Sequence, residues 1–88
     1  MGKGQVPTKP VSIRCIMADP KFERGVRDAR AGRPFPADLD DWETNPAWNY
    51  ERGRAWAARV PVSVMLKCGS RLTDEAVRWF MRIADDIL

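Results

Sequence analysis

Asp19-Pro20-Lys21-Phe22-Glu23-Arg24-Gly25-Val26-Arg27-Asp28-Ala29-Arg30-Ala31-Gly32 is the stretch on which the fold turns, because Tyr50-Glu51-Arg52-Gly53-Arg54-Ala55-Trp56-Ala57 repeats its arrangement. Each sets an aromatic, a glycine and a small residue three or four apart, which stacks them on one face of a helix. Glycine inside a helix costs about 1 kcal/mol relative to alanine. Two glycines at matching places therefore predict a close approach of two backbones, a glycine-notched helix pair. Such a pair points to a small binding protein and leaves its partner open.

The flanking residues punctuate both helices. Asp19-Pro20 supplies a capping carboxylate followed by proline at the first helical position. Phe22, Val26 and Ala29 form the apolar stripe, Glu23 and Arg27 make an outward i,i+4 pair, and Gly32 with Pro34-Phe35-Pro36 ends the helix. Asn45-Pro46 repeats the capping arrangement and opens a second helix reaching about Arg59. Tyr50, Gly53, Trp56, Ala57 and Val60 fall within roughly 120° of arc on it. Trp48, Arg52 and Arg59 fall opposite, with Arg54 at their flank. Arginine contacts phosphate and a ring stacks on a base, so Arg24, Arg27, Arg52, Arg54 and Arg59 are candidate phosphate contacts and Trp48 a candidate stacker. The plainer alternative is that Trp48 covers the helix start and Arg52 pairs with nearby carboxylates.

Outside the pair, Val11, Ile13, Cys15 and Met17 alternate with Ser12, Arg14 and Ile16, which predicts a half-buried strand. Val62, Val64, Leu66 and Cys68 alternate likewise up to Gly69-Ser70. Each segment has one apolar face, so the two could pair with each other; a lone two-stranded sheet is marginal in water, so it must pack on helices or extend across a dimer. Thr73-Asp74-Glu75 caps a last helix, with Leu72 placed to staple against Val77. Its stripe of Ala76, Val77, Phe80, Met81, Ile83, Ala84, Ile87 and Leu88 reads as core, with a groove-docking or dimerising face as the alternative.

The chain has 88 residues, 44% of them hydrophobic with four tryptophans, which fits one ordered domain with a thin core. Two cysteines and no histidine make a zinc site improbable and remove the base of a Ser-His or Cys-His pair. Cys15 and Cys68 are expected as small core residues. Neither an enzyme nor a cofactor or metal site is expected. No apolar run approaches the ~20 residues of a membrane span. Residues 1–10 read as a flexible polar segment without a signal-peptide stretch, so the expected location is cytoplasmic.

Net charge is only +3, but it comes in blocks: +5 over residues 1–33, −5 over 34–51, +5 over 52–71 and −2 thereafter. Eleven of the fifteen basic residues are arginine, the side chain that grips phosphate in a fork. The connector from Arg33 to Thr44 gathers Asp38, Asp40, Asp41 and Glu43 around Leu39 and Trp42. Its spacing does not match a calcium loop. A basic face suited to nucleic acid and an acidic connector suited to protein are thus both present, unless the blocks merely solvate the chain.

Phe22-x-x-Gly25, Asp28-Ala29-x-x-Gly32, Pro34-Phe35 and Tyr50-Glu51-Arg52-Gly53-Arg54-x-x-Ala57 together resemble the ribosome modulation factor family over residues 20–58. Arg33 stands where that family's cysteine-proline-aromatic element has its cysteine. The resemblance implies a basic helix pair that binds ribosomal RNA of the small subunit and helps pair ribosomes. It also extends to small proteobacterial and phage proteins.

The expected architecture is α+β: one domain over residues 11–88, ordered strand-helix-helix-strand-helix, with residues 72–88 as the final amphipathic helix. The expected function is non-catalytic binding of ribosomal or other RNA through the arginine-rich helix face. The alternative is a small phage-type inhibitor, anti-CRISPR-like, that binds a host or defence protein through Asp38, Asp40, Asp41, Trp42 and Glu43. A homodimer is compatible with both readings.

Overall fold

The computed structural model describes residues 10–88, and side chains from Ile13 onward. The flexible segment expected over residues 1–10 therefore lies, apart from Pro10, outside the described residues. Among the described residues, four α-helices and a two-stranded antiparallel sheet make an α+β fold that is mostly helical: α1 (Pro10–Ala18), α2 (Pro20–Arg30), α3 (Thr44–Arg59), β1 (Lys67–Cys68), β2 (Arg71–Leu72) and α4 (Asp74–Ile87).

Segment 11–17, expected as a strand, is helical. Ile13 and Met17, four apart, are 1% and 0% exposed, Ile16 is half-buried beside them, and Arg14 and Cys15 face out. Strict alternation leaves Ile16 on the polar side, whereas helical spacing brings it to the core. A short apolar run satisfies either period, and packing against α2, α3 and α4 selects the helix.

Without that strand, residues 62–64 have no edge to pair with, and residues 65 and 66 bond only to Thr73 at the far side of the hairpin. Residues 61–64 form a turn closed by the Val64 amide on the Pro61 carbonyl at 2.9 Å. Val64 and Leu66 still point inward, but Val62 is 76% exposed. Pairing is confined to Lys67 opposite Leu72 and Cys68 opposite Arg71. Gly69, at φ 66° with no other residue of the turn at positive φ, gives the two-residue loop the form of a type II′ turn. Both cysteines are exposed free thiols, not core residues, because each lies on the outer side of its element.

Helices α2 and α3 cross where the matched glycines lie. A Cβ on Gly25 would collide with the carbonyl oxygen of Tyr50, and one on Gly53 with the carbonyl oxygen of Phe22. Each glycine thus receives the carbonyl of the aromatic three residues before the other glycine. The two aromatic-x-x-Gly motifs meet reciprocally, which is why the sequence carries the motif twice.

Asp19 caps α2 by accepting the Lys21 amide at 2.8 Å, and Pro20 stands at the first helical position. The other end closes in a Schellman motif. The Arg33 amide donates to the Asp28 carbonyl at 2.8 Å, the Gly32 amide to the Ala29 carbonyl at 3.1 Å, and Gly32 takes φ 70°. Helix α3 begins two residues earlier than Asn45-Pro46 suggests, with Glu43 at the cap and no side-chain capping bond. Proline fits inside that first turn because the amide there has no partner to lose.

Tyr50, Gly53, Trp56, Ala57 and Val60 are all buried as their arc predicts. Phe22 tilts against Trp56 and Phe80, with ring centroids 6.2 and 5.8 Å away. The Trp56 indole donates to the Ala76 carbonyl at 3.3 Å, tying α3 to the first turn of α4. Thr73 caps α4 through the Ala76 amide at 3.1 Å, while its own hydroxyl donates to the Met65 carbonyl at 2.7 Å. The α4 stripe is buried at Ala76, Val77, Phe80 and Ala84, but Met81 at its edge is 44% exposed. Glu23 pairs across the fold with Lys67 at 3.2 Å and not with Arg27.

Candidate nucleic-acid interface

The crossing is locked by one buried carboxylate. Asp28 is 6% exposed and accepts the Tyr50 hydroxyl at 2.8 Å. Arg33 reaches its other oxygen at 3.4 Å, and Arg24 lies 3.6 Å from the oxygen that Tyr50 holds. The Tyr50 hydrogen bond, more than the neighbouring Arg33 and Arg24, holds the Asp28 carboxyl below its ordinary value against the opposing effect of burial. Burial pushes the Tyr50 phenol up. The Tyr50 oxygen in turn accepts from Arg54 at 2.9 Å, and a second nitrogen of Arg54 donates to the Arg33 carbonyl at 2.7 Å. The Arg54 guanidinium also stacks 4.2 Å from the Phe35 ring centre.

Of the arginines expected to meet phosphate, Arg24 and Arg54 therefore face the helix crossing. Arg24 additionally covers Trp42 at 5.3 Å, on a ring that also carries the Lys21 ammonium at 4.1 Å. Trp42 sits half-buried with its edge toward Tyr50 at 5.4 Å, pinning the connector to the pair. The signal for this arrangement lay in the motif: Asp28 falls one turn beyond Gly25, and Arg54 one turn beyond Tyr50.

Trp48, Arg52 and Arg59 stand together on the outer side of α3. They span about 16 Å of helix and roughly 40° of arc at 1.5 Å and 100° per residue. Trp48 is 51% exposed, and the Arg52 guanidinium lies 5.6 Å from its ring centre. Arg52 donates to the Asn49 side chain at 3.1 Å, and Asn49 to the Asp19 carboxylate at 2.7 Å, so the Trp–Arg platform is braced from the α2 cap. Partial burial draws the Arg52 pKa down from its ordinary value. Arg59 is exposed and bonds only its own helix, to the Ala55 carbonyl at 3.1 Å. Arg27 is exposed on α2.

Asp38, Asp40, Asp41 and Glu43 are all exposed around a 3₁₀ turn at Leu39–Asp41, and none forms an ion pair among the described residues. Among the described residues no three Cys, Asp or Glu side chains converge as metal ligands, and no helix is long and apolar enough to cross a membrane.

Sequence reading passed over Arg30. Its guanidinium donates to the carbonyls of Val64 at 2.8 Å and Pro61 at 3.2 Å and covers Trp56 at 5.2 Å, strapping the 61–64 turn to α2. Compared with family models, with curated proteins and with solved structures, the chain matches none.

Proposed function

We propose that this is a non-catalytic RNA-binding protein whose contact surface is the outer face of α3. The observation that carries the proposal is the platform of half-exposed Trp48 under Arg52, with Arg59 further along the same face. A flat ring takes an unstacked base, and the flanking guanidinium groups take phosphates, a pairing suited to single-stranded RNA. Arg27 adds a further exposed cation, whereas Arg24 and Arg54 serve the scaffold. The resemblance of residues 20–58 to the ribosome modulation factor family supports ribosomal RNA as the target. That support is mainly architectural, since of the resembling residues only Arg52 belongs to the platform and the others build the crossing.

The test is anisotropy titration of a single-stranded RNA across a salt series, followed by sedimentation with small ribosomal subunits. Affinity should fall steeply with salt. Trp48→Ala should weaken binding by about 1–3 kcal/mol, and Arg52→Glu with Arg59→Glu should weaken it for every sequence tried. Salt-insensitive binding, or variants that match the parent, would refute the proposal.

A second reading rests on the exposed, unpaired carboxylates of the connector: capture of a basic protein surface, as a small phage-type inhibitor would do. It predicts the reverse. Replacing Asp38, Asp40 and Asp41 by Asn abolishes partner capture, while the arginine variants retain it. On the RNA reading the same asparagine variant binds RNA more tightly, because repulsion is removed.

A further inference from the structure

Arg14 from α1, Lys67 from β1 and Arg71 from β2 line an open cleft of about 580 Å³, joined by Ser70 of the hairpin turn, Leu72 and Asp74 at the start of α4. We propose that this cleft binds a phosphate group, carried either by a free nucleotide or by the backbone of a nucleic acid. The inference does not rest on the α3 face, because the two share no residue.

Three cations from three elements converge here against a single lining carboxylate. Arg71 is exposed and makes no ion pair among the described residues. Arg14 meets Asp74 by one contact of 3.3 Å, with the two side chains 46% and 79% exposed. An ion pair that open contributes little. A phosphate offers the guanidinium fork two oxygens and more charge, so it displaces such a carboxylate readily. Lys67 pairs with Glu23 at 3.2 Å, and Glu23 stands outside the lining. Lysine is a flexible point charge with three donors, so its ammonium group can meet an incoming anion while keeping Glu23. Ser70 adds a hydroxyl donor.

Among the described residues the lining carries cations and a hydroxyl and no aromatic ring, which suits a phosphate better than a base. The volume falls within the usual range for small-molecule sites and leaves room for a sugar beside the phosphate.

The experiment is an amide-resolved NMR titration of the full chain at constant ionic strength. The probes are inorganic phosphate, pyrophosphate, ADP and a tetranucleotide without terminal phosphates, with chloride as the control. Saturable shifts at Arg14, Lys67, Ser70 and Arg71 are expected, with pyrophosphate tighter than phosphate. Arg14→Gln and Arg71→Gln should each weaken binding about tenfold, the loss of one charge-assisted contact. Asp74→Asn should tighten it by removing the competing carboxylate. Saturation by ADP but not by the tetranucleotide assigns a free nucleotide; saturation by the tetranucleotide assigns a nucleic-acid backbone. The proposal is overturned if no probe gives saturable shifts at these residues. It is equally overturned if the shifts persist unchanged in an Arg14→Gln, Arg71→Gln double variant whose spectrum remains dispersed. Because Trp48, Arg52 and Arg59 are untouched in these variants, their RNA titration fails or succeeds separately.

Discussion

Gly25→Ala adds one carbon at the point where α2 meets the carbonyl oxygen of Tyr50, and that oxygen is backbone. No rotamer relieves the overlap; only separating the helices does. Overpacking of a core typically costs about 1–3 kcal/mol, and a backbone obstacle puts this site at the upper end. The same substitution gains about 1 kcal/mol of helix propensity, leaving a net loss of about 1–2 kcal/mol. Gly53→Ala, aimed at the Phe22 carbonyl, should cost the same by the same route. The double variant discriminates further. Once the helices part for the first methyl group the second finds space, so the combined loss should fall short of the sum. Urea unfolding gives the free energies, and for a chain this size 1 kcal/mol moves Tm by about 4–8 °C. Parent-like or raised stability in either single variant would refute the notch. Additive losses would refute the shared crossing.

Other consequences follow from the same contacts. Asp28 has a folded pKa below its model-compound value of 3.8, so its contribution is complete above that pH and is lost as pH falls toward the lower folded value; Asp28→Asn should lower stability at neutral pH and flatten the acid limb of a Tm-versus-pH curve. Tyr50 has a folded pKa raised above 10.0, so its contribution is complete below pH 10 and fades as pH rises through the folded value; Tyr50→Phe should flatten the alkaline limb. Arg30→Met strips the Pro61 and Val64 carbonyls of a charged donor and should cost about 1.5–3 kcal/mol, read by urea unfolding and by faster amide exchange around Val64. Phe80→Ala removes a fully buried ring that meets Phe22; a loss of about 3–5 kcal/mol should leave much of the chain unfolded at 37 °C by circular dichroism, and parent-like stability would refute its place in the core.

The helix pair was legible because glycine in a helix is penalised and therefore informative, and the starts of α2 and α4 because Asp19 and Thr73 carry capping chemistry. Segment 10–18 was not legible. Ile13 and Met17 satisfy a period of two and a period of four alike, and only the presence of α2 and α4 decides between them. The misreading propagated: with α1 helical, residues 62–66 lost their partner strand, and Arg30 took the carbonyls that a neighbouring strand would have used. The surroundings of Cys15 and Cys68 changed for the same reason. In sequence, Arg24 and Arg54 look like Arg52 and Arg59. What separates them is the course of the connector, which brings Arg33 and Trp42 back over the crossing and gives the first two arginines acceptors or rings to rest on.

That partition bears on what the charge blocks are for. Had folding brought the acidic connector onto the basic blocks, the alternation along the chain would have been internal neutralisation. Instead the one carboxylate that gathers arginines is Asp28, inside the α2–α3 pair, while Asp38, Asp40, Asp41 and Glu43 stay in solvent without ion pairs among the described residues. Arg27, Arg59 and Arg71 likewise stay outside. Exposed charges of both signs that do not pair contribute little to stability but set a field over several ångströms. The aromatic, glycine and small residues of the two motifs are thus consumed by architecture, and binding falls to side chains that face away from the crossing: Trp48 and Arg52 on α3, and Arg14 and Arg71 at the hairpin cleft. Substituting the aromatic and glycine positions should therefore change folding first and binding only through it, whereas substituting those four should change binding in a chain that still folds.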